Sequence, residues 1–301
     1  MRKVEIVATR DVPLRTYRQT MTTLTFLGTG GGRFATIYQV RGTGGLYLKD
    51  GVNVHIDPGP GALVHMARLK MDPAKTDAVI ISHCHPDHYT DAEVLLEGMT
   101  RGGLKRRGAL IGSRTALEGE NGHGPAISRY HHGLPERALV VGRGDRFNIG
   151  ALDVDVLGTK HSDPSGVGFR FNTSAGAICY MSDTEMDPEV TAQHKGARVL
   201  ILALTRPLRS RVPQHLCTED AAEIAREIRP EMVLLTHFGA KLIYEGVGKQ
   251  AQYIERESGV RTVAAEDLMT VHLGRGIRFS GRKGEGQEGT LDEGVDPAQL
   301  D

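Results

Sequence analysis

The sequence predicts an α/β (α+β) fold arranged as an αβ/βα four-layer sandwich, in which two mixed β-sheets pack face to face and helices cover both outer faces. Three observations lead to this prediction. Short β-type runs occur in two batches along the chain, helical segments lie between them, and several predicted strands end in a histidine or an aspartate. Ligand-type side chains at strand ends are typical of sites that form where loops leave a rigid sheet.

The first batch of strands lies in the N-terminal half, where apolar and β-branched runs are separated by glycine. The glycines at 28 and 30–32 permit a tight turn after the first strand. Because no helix is predicted after them, they do not form a dinucleotide-binding fingerprint. Residues 1–20 are expected to be an N-terminal extension or an edge strand. The predicted strands are 23–28, 36–42, 46–50, 52–57 and 77–82, and the predicted helices are 61–70 and 91–100.

The second batch of strands is followed by a helix at 217–228, for which Thr218 is the predicted N-cap and which ends before Pro230. We expect one domain over residues 21–280. Residues 281–301 are rich in glycine and acidic side chains and are predicted to be a disordered tail. The remaining predicted strands are 138–142, 152–158, 166–171, 177–182, 199–204, 232–237, 261–264 and 268–273, with a further helix at 248–258.

Composition excludes several classes of protein. The 301 residues are 39% hydrophobic and 25% charged, which is ordinary for a soluble globular protein. The formal net charge is zero, so any contact with nucleic acid has to be local. There is no apolar run of about 18 residues and no apolar signal-peptide core, and the three scattered cysteines indicate no disulfide framework. We therefore expect a cytoplasmic protein without membrane contact, and a homo-oligomer, most simply a dimer.

The stretch ISHCHPDHYTDAE (81–93) places three histidines and one aspartate within six positions. In an extended backbone His83 and His85 point to the same side, so both can reach one metal ion. Pro86 fits the first turn of a helix, in which Asp87 and His88 are directed at a neighbouring point. The positive end of that helix keeps Asp87 ionised. A polar loop is the alternative, but four metal-competent groups so close together have no packing rationale.

Four further ligand-type residues end predicted strands, namely Asp57, His161, Asp183 and His237. Any one of them alone is more often a turn former or a satisfied polar group. Together with the histidine-rich stretch they provide imidazole and carboxylate groups, which are zinc-type ligands.

The order of these residues resembles the five-motif series of the metallo-β-lactamase superfamily, over roughly residues 22–275. The resemblance implies that Asp183 bridges two metal ions and that Asp57 orients the site from behind. It also implies a metal-bridged hydroxide as nucleophile, with Asp87 among the catalytic residues. The implied ligands are His83, His85 and His161 for one metal, and Asp87, His88 and His237 for the other.

The implied cofactor is a pair of Zn²⁺ ions. A histidine at position 85, where diiron members of the superfamily carry glutamate, favours zinc over redox iron. Manganese and iron remain alternatives.

Two further stretches resemble the ribonuclease Z branch, namely FLGTGGGR (26–33) and PQHLCTEDAAEIAREI (213–228). The resemblance implies that His215 protonates the leaving oxygen or holds the scissile phosphate; a surface-loop histidine is the alternative. Two features depart from that branch. Residues 168–176 leave no room for the arm that clamps tRNA, and the stretch 199–211 lacks the glutamate that supports the catalytic histidine.

Two basic clusters are candidates for binding phosphate, at 101–107 and at 205–211 with Arg206, Arg209 and Arg211. A solvated face is the alternative for both. The loop at 118–136 is either a lid or a subunit contact.

The sequence thus predicts a zinc-dependent hydrolase of a phosphodiester, in RNA, a cyclic nucleotide or a small cyclic ester. Hydrolysis of an acyl bond, in a thioester or lactone, is the enzymatic alternative. A non-catalytic scaffold in RNA processing is the alternative from another class, and it would be expected to have lost ligands.

Overall fold

The structure is a computed structural model that describes residues 21–281, so the predicted N-terminal extension and, apart from residue 281, the predicted tail lie outside it. The strands are β1 (Thr22–Gly28), β2 (Thr43–Lys49), β3 (Asn53–Ile56), β4 (Ala78–Ile81), β5 (Ala109–Ser113), β6 (Arg137–Val141), β7 (Arg146–Ile149), β8 (Leu152–Gly158), β9 (Val167–Thr173), β10 (Gly176–Met181), β11 (Val199–Arg206), β12 (Leu216–Cys217), β13 (Met232–Thr236), β14 (Thr262–Ala264), β15 (Thr270–Leu273) and β16 (Ile277–Ser280).

Helices occupy the segments between the strands. They are α1 (Gly32–Tyr38), α2 (Ala62–Arg68), α3 (Ala92–Thr100), α4 (Arg114–Leu117), α5 (Arg129–His132), α6 (Pro188–Ala192), α7 (Thr218–Ile228), α8 (Ala240–Glu245) and α9 (Val247–Ser258), with short 3₁₀ turns at Pro73–Lys75 and Pro86–His88.

The strands form two mixed sheets of eight strands each, and in the second sheet β12 pairs with β11 outside the main strand order. The first sheet has the order β16-β15-β1-β2-β3-β4-β5-β6 and is parallel from β3 to β6. The second has the order β14-β13-β11-β10-β9-β8-β7 and is parallel from β14 to β10. Strands that are parallel and adjacent end at the same edge, so the loops that follow them gather there.

Burial separates the molecule into layers. On β8, Leu152, Val154 and Val156 are buried between the sheets, whereas Asp153 is exposed. On β11 every residue is buried, because Val199 and Ile201 face the other sheet and Leu200 and Leu202 face the helices. A strand covered on both faces is apolar along its length rather than alternating. The predicted four-layer sandwich is confirmed.

The predicted strand at 36–42 is wrong. Residues Gly32–Tyr38 form α1, which begins after Gly31 in an extended conformation and ends at Gln39 in the left-handed region (φ 46°). Thr36, Ile37 and Tyr38 have high β propensity, but this preference depends on context, and in α1 Ala35 packs into the core while Ile37 and Tyr38 stay exposed. A helix therefore does follow the glycines, so the absence of a helix is no ground for excluding a dinucleotide fingerprint. In this chain the first backbone N–H of α1, that of Gly32, donates to the carboxylate of Asp87.

Smaller differences concern the cap of α7 and four strands that were not predicted. Cys217 rather than Thr218 is the N-cap of α7, and the carboxylate of Asp220 accepts the Cys217 backbone N–H at 3.0 Å. The additional strands within residues 21–281 are β5, β7, β12 and β16, all short.

Candidate metal centre

The ligand-type residues come together at one edge of the sandwich because they follow strands of both sheets. Asp57 comes directly after β3, and His83 lies two residues beyond β4. From the second sheet, Asp183 lies two residues beyond β10, His237 comes directly after β13, and His161 lies in the loop after β8. The predicted constellation is therefore assembled from five strand ends.

One group consists of three imidazoles and a carboxylate. Nε2 of His83 lies 3.0 Å from Nδ1 of His85, which lies 3.1 Å from Nε2 of His161. Nε2 of His161 is 3.8 Å from Oδ2 of Asp183. Zinc with Zn–N bonds of about 2.0 Å and tetrahedral angles places neighbouring ligand nitrogens roughly 3.3 Å apart. The spacing of these nitrogens fits a metal ion.

The second group consists of two imidazoles and a carboxylate. Nε2 of His88 and Nε2 of His237 are 3.1 Å apart, and Oδ2 of Asp87 lies 3.1 Å from Nε2 of His237. Asp183 faces this group too, because its Oδ1 lies 3.2 Å from Nε2 of His237. That Oδ1 is buried and accepts no hydrogen bond from residues 21–281, which is the condition of a carboxylate oxygen suited to a cation.

Asp57 lies behind the second group. Its carboxylate accepts hydrogen bonds from Nδ1–H of His88 at 2.9 Å, from the Ser82 backbone N–H at 2.7 Å and from the Tyr180 hydroxyl at 2.9 Å. Because Nδ1 of His88 carries the proton, its Nε2 presents a lone pair to the site.

Other imidazoles are oriented in the same manner. Nδ1–H of His161 donates to the carbonyl oxygen of Gln214 at 2.9 Å, and Nδ1 of His237 lies 3.1 Å from Oγ1 of Thr205. Each contact leaves Nε2 of the ring directed inward. The residues present therefore fit metal ions at both groups.

The histidines of the two groups differ in the direction in which their pKa values are shifted. Burial lowers the pKa of His83, His85 and His161, so these rings are neutral lone-pair donors. Burial also lowers the pKa of His88, but the carboxylates of Asp87 and Asp57 outweigh it and raise this pKa to about 10. The second group is thus rich in negative charge, which attracts a cation and which protonated histidines balance when no cation is bound.

The glycine-rich turn after β1 belongs to this site, a role that the sequence did not reveal. The backbone N–H of Gly32 donates to Oδ2 of Asp87 at 2.8 Å. A Cβ at Gly31 would lie 2.2 Å from the His237 ring. Glycine is thus required where the turn touches a ligand; the signal in the sequence was the run GTGGG.

Asp163 is a second residue that sequence reasoning missed. Its Oδ2 accepts the Cys84 backbone N–H at 2.9 Å, and its Oδ1 accepts the Thr115 hydroxyl at 2.8 Å. It thereby fastens the peptide between His83 and His85. Its position two residues after His161 was the only signal available in the sequence.

His215 lies at the lip of the site. Its Nε2 is 3.8 Å from Oδ2 of Asp183, and its ring stands edge-on to that of His161 with centroids 5.0 Å apart. The side chain is 27% exposed, so it can be reached from solvent.

The three arginines of the 205–211 cluster have different surroundings. Arg206 is buried and donates through Nε to the Ser210 carbonyl at 3.1 Å. Arg211 pairs with Asp220 at 2.6 Å. Arg209 is exposed and lines a surface cleft between the loop after β11 and the helices α8 and α9.

The other two segments predicted to contact substrate or a subunit form hydrogen bonds or ion pairs with neighbouring parts of the domain. In the 101–107 cluster, Arg107 donates to the carbonyls of Ala74 and Thr76 and pairs with Asp77 at 2.8 Å. The loop at 118–136 contains α5, and the Ser128 backbone N–H donates to Glu93 of α3. Within residues 21–281, no helix is both long and apolar enough to cross a bilayer.

Two mixed sheets with a histidine- and aspartate-rich centre at their shared edge define a metallohydrolase of the αβ/βα class. The chain belongs to the β-lactamase superfamily, since the model of the beta-lactamase superfamily domain matches residues 52–238. The predicted superfamily membership is confirmed, and the protein is a metal-dependent hydrolase.

Individual relatives agree with this assignment. The uncharacterized protein MJ1374 of Methanocaldococcus jannaschii is 39% identical over 251 residues, which cover 82% of this chain and 94% of that protein. The ribonuclease Z of Thermococcus kodakarensis is 23% identical over 292 residues, which cover 81% and 92% of the two chains. The metallo-β-lactamase fold protein YhfI of Bacillus subtilis shares the fold, with a TM-score of 0.69 and 19% identity over 84% of this chain and 99% of YhfI.

Proposed function

We propose that the protein is a dinuclear zinc-dependent phosphodiesterase acting on RNA, a cyclic nucleotide or a small cyclic phosphodiester. The observation that carries the proposal is the position of the Asp183 carboxylate. Its Oδ1 lies 3.2 Å from His237 and its Oδ2 lies 3.8 Å from His161, so one carboxylate faces both ligand groups. Bound zinc ions supply Lewis acidity and lower the pKa of a water molecule, so that hydroxide can attack at neutral pH.

The protein side chains divide the remaining work. His83, His85 and His161 hold one zinc, Asp87, His88 and His237 hold the other, and Asp183 contributes to both. Asp87 also belongs to the proposed catalytic group. The backbone N–H of Gly32, at the start of α1, donates to its carboxylate and holds it in position.

His215 is the proposed proton donor to the leaving oxygen. Its ring lies at the edge of the centre, where it contacts the ring of His161 and approaches the carboxylate of Asp183, and it is accessible from solvent. A general acid needs both properties, since it has to contact the substrate and recover its proton between turnovers.

The preference for a phosphodiester over an acyl bond rests on His215, on the exposed Arg209 in the loop after β11 and on the ribonuclease Z relative. A thioester or lactone hydrolase remains the alternative on the same centre. All seven ligand residues lie together, whereas a non-catalytic scaffold would be expected to have lost some of them.

A panel assay tests the proposal. Protein loaded with Zn²⁺, and in parallel with Mn²⁺ or Fe²⁺, is assayed with bis-p-nitrophenyl phosphate, 2′,3′-cyclic nucleotides, thioesters, lactones and precursor tRNA. We expect turnover of the small phosphodiesters and highest activity with zinc. Turnover of thioesters or lactones without phosphodiester hydrolysis would replace the proposal by the acyl-bond alternative.

Intact tRNA is expected to be a poor substrate. β9 and β10 are joined by residues 174–175 alone, at the position where the ribonuclease Z branch carries its clamping arm. We therefore expect tRNA binding to be weak and strongly dependent on salt. A cytoplasmic location and a homodimer stay predictions.

A further inference from the structure

A surface cleft of about 920 Å³ lies between the loop after β11 and the helices α8 and α9. It is open to solvent and is lined by cationic, aromatic and amide side chains rather than by a continuous apolar surface. The residues that matter for its chemistry are Leu208, Arg209, Tyr244, Lys249, Gln250 and Tyr253.

Both walls of the cleft begin at residues of the metal centre. On one side, Oγ1 of Thr205 lies 3.1 Å from Nδ1 of His237, and the chain then continues to Arg209. On the other side, α8 begins at Ala240, three residues after His237, and Tyr244 follows about 6 Å further along the helix axis. Short backbone segments therefore connect the metal centre with both walls of the cleft.

Positive charge in the cleft is not neutralised. Neither Arg209 nor Lys249 forms an ion pair with any residue in the described range 21–281, and both are exposed. Arg256, a third cation on the lining, pairs with Glu257 at 3.0 Å. Glu245 is the single carboxylate among the lining residues, so the free charge of the cleft is positive.

The loop that carries Arg209 is held in place. Arg209 has a left-handed backbone (φ 61°), and its N–H donates to Oε1 of Glu219 at 2.8 Å. A non-glycine residue in this conformation is costly and is retained only where surrounding contacts enforce it. The backbone position of Arg209 is thus set by the fold.

The floor of the cleft contains a buried amide with unused donors. Gln250 is 6% exposed, and its Oε1 accepts hydrogen bonds from the Leu208 N–H at 3.1 Å and the Thr218 hydroxyl at 2.8 Å. Its Nε2 donates to no residue within 21–281. This nitrogen is not among the fully buried atoms, so its N–H groups can donate to a ligand that enters the cleft.

Two tyrosines complete the surface. Tyr244 is 46% exposed, and the ring of Tyr253 is covered on one side by the Arg256 guanidinium, 5.0 Å from its centroid. Exposed aromatic faces beside unpaired cations are the features with which proteins bind single strands, because bases stack on the rings and phosphates meet the cations.

We propose that this cleft binds a single-stranded polynucleotide whose phosphodiester lies at the metal centre. Arg209 and Lys249 contact its phosphates, Tyr244 stacks on a base and the Gln250 amide donates to an acceptor on the strand. The proposal rests on the phosphodiesterase function proposed above and extends it from small diesters to a strand.

The test compares two cleft variants with a matched control. One variant removes the charges (Arg209→Gln with Lys249→Gln), and the other removes the aromatic face (Tyr244→Ala). The control, Arg68→Gln with Lys75→Gln, removes two exposed cations near the opposite sheet, on α2 and the turn at Pro73–Lys75. The probes are a fluorescent ten-nucleotide RNA, DNA of the same sequence and a polyglutamate peptide. The zinc-loaded proteins are also assayed with bis-p-nitrophenyl phosphate.

We expect Tyr244→Ala to weaken binding of the oligonucleotide about five- to a hundredfold. The charge variant should lower the slope of log affinity against log salt concentration by about 1.4, which corresponds to two lost phosphate contacts on a single strand. The control should bind like the wild type. Losses on both RNA and DNA, or on RNA alone, support the proposal and show whether the 2′-hydroxyl is recognised.

Three results would overturn it. They are oligonucleotide binding that the cleft variants leave intact, no binding to the wild type, and polyglutamate binding as tight as that of the oligonucleotide. Failure of the proposed function has a different signature, namely absence of phosphodiester hydrolysis by the wild type while the cleft variants still lose oligonucleotide binding.

Discussion

Nδ1 of His88 donates a hydrogen bond of 2.9 Å to Oδ2 of Asp57, and both side chains are almost completely buried. The contact joins the end of β3 to the 3₁₀ turn after β4. It determines which ring nitrogen of His88 bears the proton, so Nε2 is free for a metal. Asp57 thus acts on the centre without belonging to either ligand group.

Replacing Asp57 by asparagine should weaken metal binding at the second group about 10- to 100-fold, the usual effect of losing such a supporting contact. Asn also tolerates the left-handed backbone of this residue (φ 52°), so the fold should persist. Competitive titration with a chromophoric chelator measures the affinity. Asp153→Asn, an exposed residue of β8, is the matched control. Unchanged affinity in Asp57→Asn would show that Asp57 is dispensable for the site.

Asp183→Ala should empty or disorder both metal positions, because its two oxygens face different ligand groups. His85→Ala removes a ligand from the first group alone and should leave about one equivalent of metal. Elemental analysis of the purified proteins after dialysis distinguishes the two. If Asp183→Ala retained both metals with wild-type affinity, the bridging assignment would be wrong.

His215→Ala should keep the full metal content, because its ring lies at the lip of the site rather than among the ligands. Its effect should depend on the leaving group. Hydrolysis of a 2′,3′-cyclic nucleotide, with its poor leaving group, should fall about two to four orders of magnitude. Hydrolysis of bis-p-nitrophenyl phosphate should fall much less, since p-nitrophenolate leaves without a proton. Equal losses on both substrates would point to binding rather than proton donation, and loss of metal would point to a structural role.

Much of the centre could be predicted because its residues follow strands with strong apolar signals. Asp183 and His237 come just after the buried strands β10 and β13, and His83 follows β4. The fold class followed from the same strands. The helix α1 could not be predicted, since the β propensity of Thr36–Tyr38 is overridden by packing that only the folded chain provides.

Residues that act through the backbone were also invisible. Gly31 matters because it leaves room for the His237 ring, and Asp163 because it accepts the Cys84 amide. Both are contacts between segments far apart in the chain, and a single sequence contains no signal of such proximity. The basic cluster at 205–211 is a further case in which the sequence does not reveal the surroundings of a residue. Its arginines carry the same charge, but Arg211 forms an ion pair with Asp220, whereas Arg209 forms no ion pair within residues 21–281.

The free energy of unfolding at acidic pH should depend on His194, a fully buried residue that belongs to neither ligand group. Nδ1–H of His194 donates to the Val190 carbonyl at 2.9 Å, whereas its Nε2 is buried and has no hydrogen-bond partner in the described part of the chain. Burial lowers the pKa of His194 from 6.5 to about 4, although the bond to Val190 opposes this, and the charge of Arg170 lowers it further. The folded protein therefore holds this ring neutral at pH values where the unfolded chain already protonates it.

Because the folded pKa lies below the unfolded value, the contribution of His194 to stability is complete above about pH 7 and is lost as the pH falls from 6.5 towards 4. Between pH 7 and pH 5 the loss is about 2 kcal/mol in the free energy of unfolding. His194→Leu removes the titrating group, so its stability should decline less over this interval by that amount, whatever its absolute stability at pH 7. Urea denaturation at both pH values measures the difference, and the other histidines cancel because both proteins contain them. Parallel declines in the two proteins would mean that His194 is protonated in the folded state or exposed by local opening.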